Sequence, residues 1–286
     1  MDDPEPIPGQ NALLFVAHPG HELLLHEWIR RVKPLVCIIT DGGGFEARSR
    51  IARTAEWLRS MDIPAGNIFG RFSDQEAYAA LLSGNVEWID SLVTDLTREL
   101  VTRQISIVVA DAAEGFNPVH DLCQLIVGAA TALSAKEGVA AIHCEYPIHD
   151  GPRAYDQCTK EVMHLDLDDA SLAMKLADAR DYSDVIPDIQ SMIEQFGEAA
   201  FRRETFRRTA DWTAWPWPSN ERPLYERLGE ERVAAKRYTR VLRHAEHVVP
   251  ILEHLRALVR STASRSAASH SAASAVDAPQ LVDSRS

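Results

Sequence analysis

The sequence predicts an α/β fold, a doubly wound and mostly parallel sheet with a helical C-terminal half. Two observations predict it. Short apolar runs alternate with stretches of helical spacing as far as Cys144, which is the pattern of parallel βαβ units. Several of these runs end in segments rich in Pro, Gly, Asp or Asn, as strands do at the carboxyl edge of such a sheet, where ligands bind.

The elements follow in order. Residues 12–17, ALLFVA, form a first strand stopped by His18-Pro19-Gly20. A helix follows through ELLLHEWIRRV, whose apolar positions recur at helical spacing. Residues 35–39, LVCII, form a second strand closed by Thr40-Asp41-Gly42-Gly43-Gly44. A helix over roughly 47–61 places Ile51, Ala55, Leu58 and Met61 on one face, and helices are expected near 74–82 and 86–103. Residues 105–110, ISIVVA, are a third strand, closed by DAAEGFNP, and a helix runs from about 118 to 135. Residues 139–144, VAAIHC, are a fourth strand, and 160–167 an edge strand. Helices are expected near 169–181, 187–208 and 230–260, forming a cap on the same domain. The domain is therefore placed at 11–260, between an N-terminal tail (1–10) and a Ser/Ala-rich tail (261–286) without apolar periodicity, read as disordered.

Composition narrows the class. The chain has 286 residues, 45% hydrophobic and 25% charged, enough for one large globular domain. A formal net charge of −12 argues against binding nucleic acid, since that needs a basic face. No apolar run approaches the roughly 20 residues of a membrane span. The N-terminus is acidic and Pro-rich, unlike a secretory signal, so a cytoplasmic location is expected. Cys37, Cys123, Cys144 and Cys158 show no CxxC pairing and read as reduced, mostly buried thiols.

Two clusters carry chemistry. His18-Pro19-Gly20-His21-Glu22 follows the first strand, and Asn117-Pro118-Val119-His120-Asp121 follows the third. Taken alone, the HxxH pair reads equally as two unrelated surface histidines. A third imidazole at another strand end of the same sheet favours convergence on one ion. Three neutral His ligands with an open fourth position make a catalytic zinc site. Gly42-Gly43-Gly44 lacks the Lys and the spacing of a phosphate loop and reads as a flexible site loop. Trp212, Trp215 and Trp217 could stack on a sugar or clamp the cap to the core. His244 and His247 read as surface residues, and His143, His149 and His164 have no motif context.

With these residues in view, the chain resembles the LmbE-like, or PIG-L, family of metal-dependent deacetylases acting on N-acetylglucosamine conjugates. The family's Ala-His-Pro-Asp-Asp-Glu stands here as Ala17-His18-Pro19-Gly20-His21-Glu22. Its Thr-x-Gly is matched by Thr40-Asp41-Gly42, and its late His-Pro-Asp-His, or the variant with Asn first, by Asn117-Pro118-Val119-His120. Its substrate arginine best matches Arg50, with Arg48 the alternative, and the segment around Lys175 and Tyr182 is also similar. The likeness covers roughly residues 11–210. It implies a Rossmann-like fold of the LmbE layout and one Zn²⁺ per chain, with Fe²⁺ an alternative, on His18, His21 and His120. It further implies hydrolysis of an N-acyl group on an amino-sugar conjugate, with Arg50 and Asn117 toward the substrate. Homo-oligomers are compatible with it.

The departures are specific. The second ligand is His21 rather than Asp, and the family's general base is replaced by Gly20. The assisting His is Asn117, and its orienting Asp is Val119. A substitute base must lie within a hydrogen bond of the reacting water. Asp111 and Glu114 rank first, because they share a loop with His120, and Asp41 follows. Each reads alternatively as a turn or helix cap. Glu22 and Asp121 are expected behind the ligands, orienting them. A chain that keeps the metal cage without the acid–base pair could also bind metal or ligand without hydrolysis, or run another zinc reaction.

Overall fold

The computed structural model describes residues 11–44, 48–156, 162–182, 186–209, 211–214 and 221–276. The chain runs β1 (Ala12–Val16), a 3-10 turn (His21–Leu25), α1 (His26–Val32), β2 (Leu35–Thr40), α2 (Ile51–Ser60) and β3 (Ala65–Phe72). It continues through α3 (Asp74–Ser83), α4 (Val86–Arg103), β4 (Ile107–Asp111), α5 (Pro118–Lys136), β5 (Ile142–Tyr146) and β6 (Val162–Asp166). Then follow α6 (Asp169–Asp181), α7 (Ile186–Phe196), β7 (Arg203–Arg208), α8 (Leu224–Ala234) and α9 (Val249–Val276).

The strands form one seven-stranded sheet in the order β3-β2-β1-β4-β5-β7-β6. The first five are parallel, and β7 and β6 extend the sheet by antiparallel pairing. The chain is thus an α/β protein with a mostly parallel sheet, as the alternating pattern predicts. Because side chains alternate along a strand, each central strand feeds two cores. On β1, Leu13 and Phe15 pack with α3, α4, α5 and α9, while Leu14 and Val16 pack with α1, α2, α6 and α7. The central position places the carboxyl ends of β1 and β4 side by side, with Phe15 paired to Ala110.

Four expectations need correction. The edge strand β3 was not anticipated, because AGNIFGRF is half-exposed and only Ile68 is fully buried, leaving no apolar run to read. The helix expected over 187–208 stops at Phe196, where Gly197 turns with φ 77°. The chain then enters β7, in which Glu204 is buried. The helix expected over 230–260 is split between α8 and α9. Finally, α9 continues to Val276, into the stretch read as disordered, in keeping with the high helix propensity of alanine. Residues 1–10 and 277–286, and with them the whole of the proposed N-terminal tail and the end of the C-terminal one, lie outside the described residues. Among the described residues no helix is long and apolar enough to cross a membrane. Cys37, Cys123 and Cys144 are buried free thiols, and Cys158 lies outside the described residues.

Candidate metal centre

The turn after β1 is built to aim side chains. Gly20 adopts φ 107°, and Gly42, at φ 68°, approaches so closely that a Cβ there would lie 2.8 Å from the Pro19 ring. Such backbone is open to glycine and strained for other residues. Glu22 is fully buried; it accepts hydrogen bonds from Gly20 N–H (2.7 Å) and the Thr54 hydroxyl (2.8 Å) and pins the turn to α2. The Tyr182 hydroxyl reaches the same carboxylate at 3.4 Å. The second segment is the start of α5. Asn117 is its N-cap, accepting from Val119 N–H at 2.9 Å, and Pro118 opens its first turn. That turn carries His120.

The fold brings the three histidines together. Their ring centroids are 5.4 Å (His18–His21), 5.2 Å (His18–His120) and 4.5 Å (His21–His120) apart. Imidazoles arranged tetrahedrally on one zinc, with nitrogens about 2.0–2.1 Å from it, place their centroids about 5 Å apart. His120 Nδ1 is buried with no hydrogen-bond partner, an orphan that an ion would satisfy. Among the described residues, the ligand atoms of His21, Asp111 and His120 all lie within 4.8 Å of one another, and His18 is not in that group. Residues of this type and spacing fit a divalent ion.

Each ligand candidate has support behind it. Asp111, fully buried at the end of β4, faces His21 Nδ1 at 2.8 Å and accepts from Ala17 N–H (2.9 Å) and the Tyr146 hydroxyl (3.1 Å). Burial opposes charge on His21, but the Asp111 carboxylate outweighs it and raises the imidazole pKa. His120 shifts the other way: burial, with the neighbouring imidazoles His21 and His18, holds it well below its ordinary value, which keeps it neutral as a ligand must be. His18 Nδ1 lies 2.7 Å from the Thr40 hydroxyl and 2.9 Å from the Asp74 carboxylate, and its Nε2 is 3.2 Å from the Asn117 amide nitrogen.

The remaining expected residues have other partners. Glu114 accepts from the backbone N–H groups of Ile148, His149 and Asp150, so it ties the loop after β5 to the loop after β4; burial raises its pKa to about 7. Asp41 accepts from Gly43 N–H at 2.9 Å, the Asx turn that was its alternative reading. Asp121 holds the amides of Glu114 and Gly115, at 3.1 and 3.0 Å, and so braces the loop before α5. Arg50 donates to Gly42 O (2.7 Å), and its charge is felt at His21 and Tyr182. Lys175 is buried in an ion pair with Glu204.

Trp212 packs on Gly128 of α5, which supports the clamp reading, and Trp215 and Trp217 lie outside the described residues. His244 and His247 are not free surface groups. His244 meets the Tyr225 hydroxyl at 2.9 Å, and His247, which is buried, meets Arg243. His149 stacks on Phe116 at 4.0 Å beside His120. Asp74 and Tyr146 were not singled out from the sequence. Both reach the site from other elements, and neither lies in a motif.

These features define an α/β protein with a candidate His/Asp/His metal centre at the carboxyl edge of its sheet. No family model matches the chain, and no curated protein does. Among solved structures, it is similar to the zinc-inhibited form of teicoplanin deacetylase Orf2. That match has 12% identity and a TM-score of 0.48, and it covers 70% of this chain and 100% of the other. It is also similar to the A40926 pseudoaglycone deacetylase Dbv21. There the identity is 14% and the TM-score 0.47, with 71% of this chain and 99% of the other covered.

Proposed function

We propose that this chain is a metal-dependent hydrolase of a C–N amide bond, removing an acyl group from an amino-sugar conjugate. The observation that carries the metal part is the convergence of His18, His21 and His120, with the Asp111 carboxylate behind His21. The substrate class rests on the motif likeness of residues 17–22 and 117–120. A divalent ion in this cluster supplies Lewis-acid polarisation of the acyl carbonyl and acidifies a water.

The chain's own residues do the rest. Asp111 accepts the Nδ1 proton of His21 and thereby leaves Nε2 as the ligand nitrogen. Asn117 offers an amide N–H₂ at the rim beside His18. Arg50 supplies positive charge where a carbonyl oxygen gains negative charge. Asp111 stands behind His21 and ties it to the end of β1 and to Tyr146 through three donors. Water and amide give a carboxylate and a free amine.

The test pairs metal analysis with turnover. Purified protein is expected to hold about one zinc or iron per chain, to lose it in His120→Ala, and to release acetate from an N-acetylglucosamine conjugate between pH 6 and 9. Metal-free wild type from metal-replete medium would overturn the site. One observation favours a second reading, binding without hydrolysis: Glu114 and Asp41 both spend their carboxylates on backbone amides. Full zinc occupancy without turnover of any N-acyl sugar would decide for it.

A further inference from the structure

We propose that Asp74, the first residue of α3, is a positioning residue of the metal centre that fixes His18 with Nε2 toward the ion. The inference rests on the reading of His18 as a ligand. The Thr40 hydroxyl donates to Ala17 O at 3.0 Å, so its oxygen is an acceptor toward His18 Nδ1, 2.7 Å away. Asp74 Oδ1, 2.9 Å from Nδ1, can only accept as well, so Nδ1 carries the proton, and Nε2, 3.2 Å from the Asn117 amide nitrogen, carries the lone pair.

Asp74 adds a full negative charge at the same place. Its Oδ1 sits 2.9 Å from Nδ1, and its side chain is only 12% exposed. Its other oxygen accepts from Gly44 N–H at 2.6 Å, and Oδ1 is buried against the N–H side of the His18 imidazole and the Thr40 hydroxyl. A buried carboxylate is costly unless a positive or electron-poor group faces it. The cost falls when the imidazole beside it becomes electron-poor, as it does when its far nitrogen binds a cation. Asp111 behind His21 and Asp74 behind His18 thus repeat one device, a carboxylate backing an imidazole. Through Gly44 the same carboxylate fixes the glycine loop after β2, so loop and ligand are set by one group.

The experiment titrates metal-free protein with Co²⁺ and Zn²⁺ against a chromophoric chelator, for wild type, Asp74→Asn, Asp74→Glu and His18→Ala. Imidazole ¹⁵N shifts of the metal-free proteins report the His18 tautomer, and circular dichroism reports folding. Asp74→Asn is expected to stay folded and to bind metal about 10- to 100-fold more weakly, the usual loss when the group behind a ligand is removed. It should also show a mixed His18 tautomer, and Asp74→Glu should recover part of the affinity. Unchanged affinity and tautomer in Asp74→Asn, with binding weakened in His18→Ala, would overturn the role of Asp74 and leave the metal site standing. Unchanged affinity in His18→Ala would overturn the reading of His18 on which both depend.

Discussion

Gly20 stands where the resembled family carries its base, and its backbone explains why the exchange is not simply reversible. At φ 107° it lies beyond the left-handed region that Asp tolerates. Gly20→Asp is therefore expected to cost about 1–3 kcal/mol of stability without raising turnover. Urea denaturation alongside an acetate-release assay checks both halves. Glu114 makes a second residue-scale prediction. Burial raises its folded pKa from 4.5 to about 7, so the folded state binds the proton more tightly than the unfolded chain. Its contribution is full below pH 4.5 and is lost as pH rises toward 7. In Glu114→Gln this dependence is absent, so the stability of wild type relative to the variant should fall between pH 5 and pH 8. A rise over that range would contradict the assignment.

At the scale of elements, β7 matters most. Its Glu204 accepts from the backbone N–H groups of Glu27 (2.9 Å) and Trp28 (2.8 Å) at the start of α1, and from Lys175 at 2.9 Å. One carboxylate therefore joins β7, α1 and α6. Glu204→Gln leaves the Lys175 ammonium buried without a counter-charge, and about 3–5 kcal/mol of stability should go with it, measured by denaturant unfolding. These elements also show what a sequence can reveal. β1, β2, β4 and β5 were legible because strands buried on both faces read as apolar runs. β3 and β7 were not, because their polar residues find partners only in three dimensions. The three histidines were legible from spacing at strand ends. Asp74 was not, because it follows the carboxyl end of β3, a strand that leaves no apolar run in the sequence.

For the whole molecule, the centre joins β1, β4 and α5, so an ion held there binds the folded state and not the open chain. Zinc at about 100 times its dissociation constant should then add about 2.7 kcal/mol to the unfolding free energy. The comparison is denaturant unfolding with zinc and with a chelator, in wild type and in His120→Ala. The gain should vanish in the variant. An equal gain in both proteins would mean that zinc acts elsewhere.

The order of strands has a consequence for how the chain acquires its shape. β6 has β7 as its neighbour, and their residues His164 and Thr205 are separated by 41 positions. Glu27 at the start of α1 waits for a partner 177 positions away. During synthesis the parallel strands can associate early, while the first helix remains uncapped and β6 unpaired until β7 emerges. Such distant pairings slow folding, since the entropy of closing long loops is lost before the contacts repay it. Nascent chains halted before Arg203 should therefore resist protease poorly at α1, though every histidine of the centre has already been made.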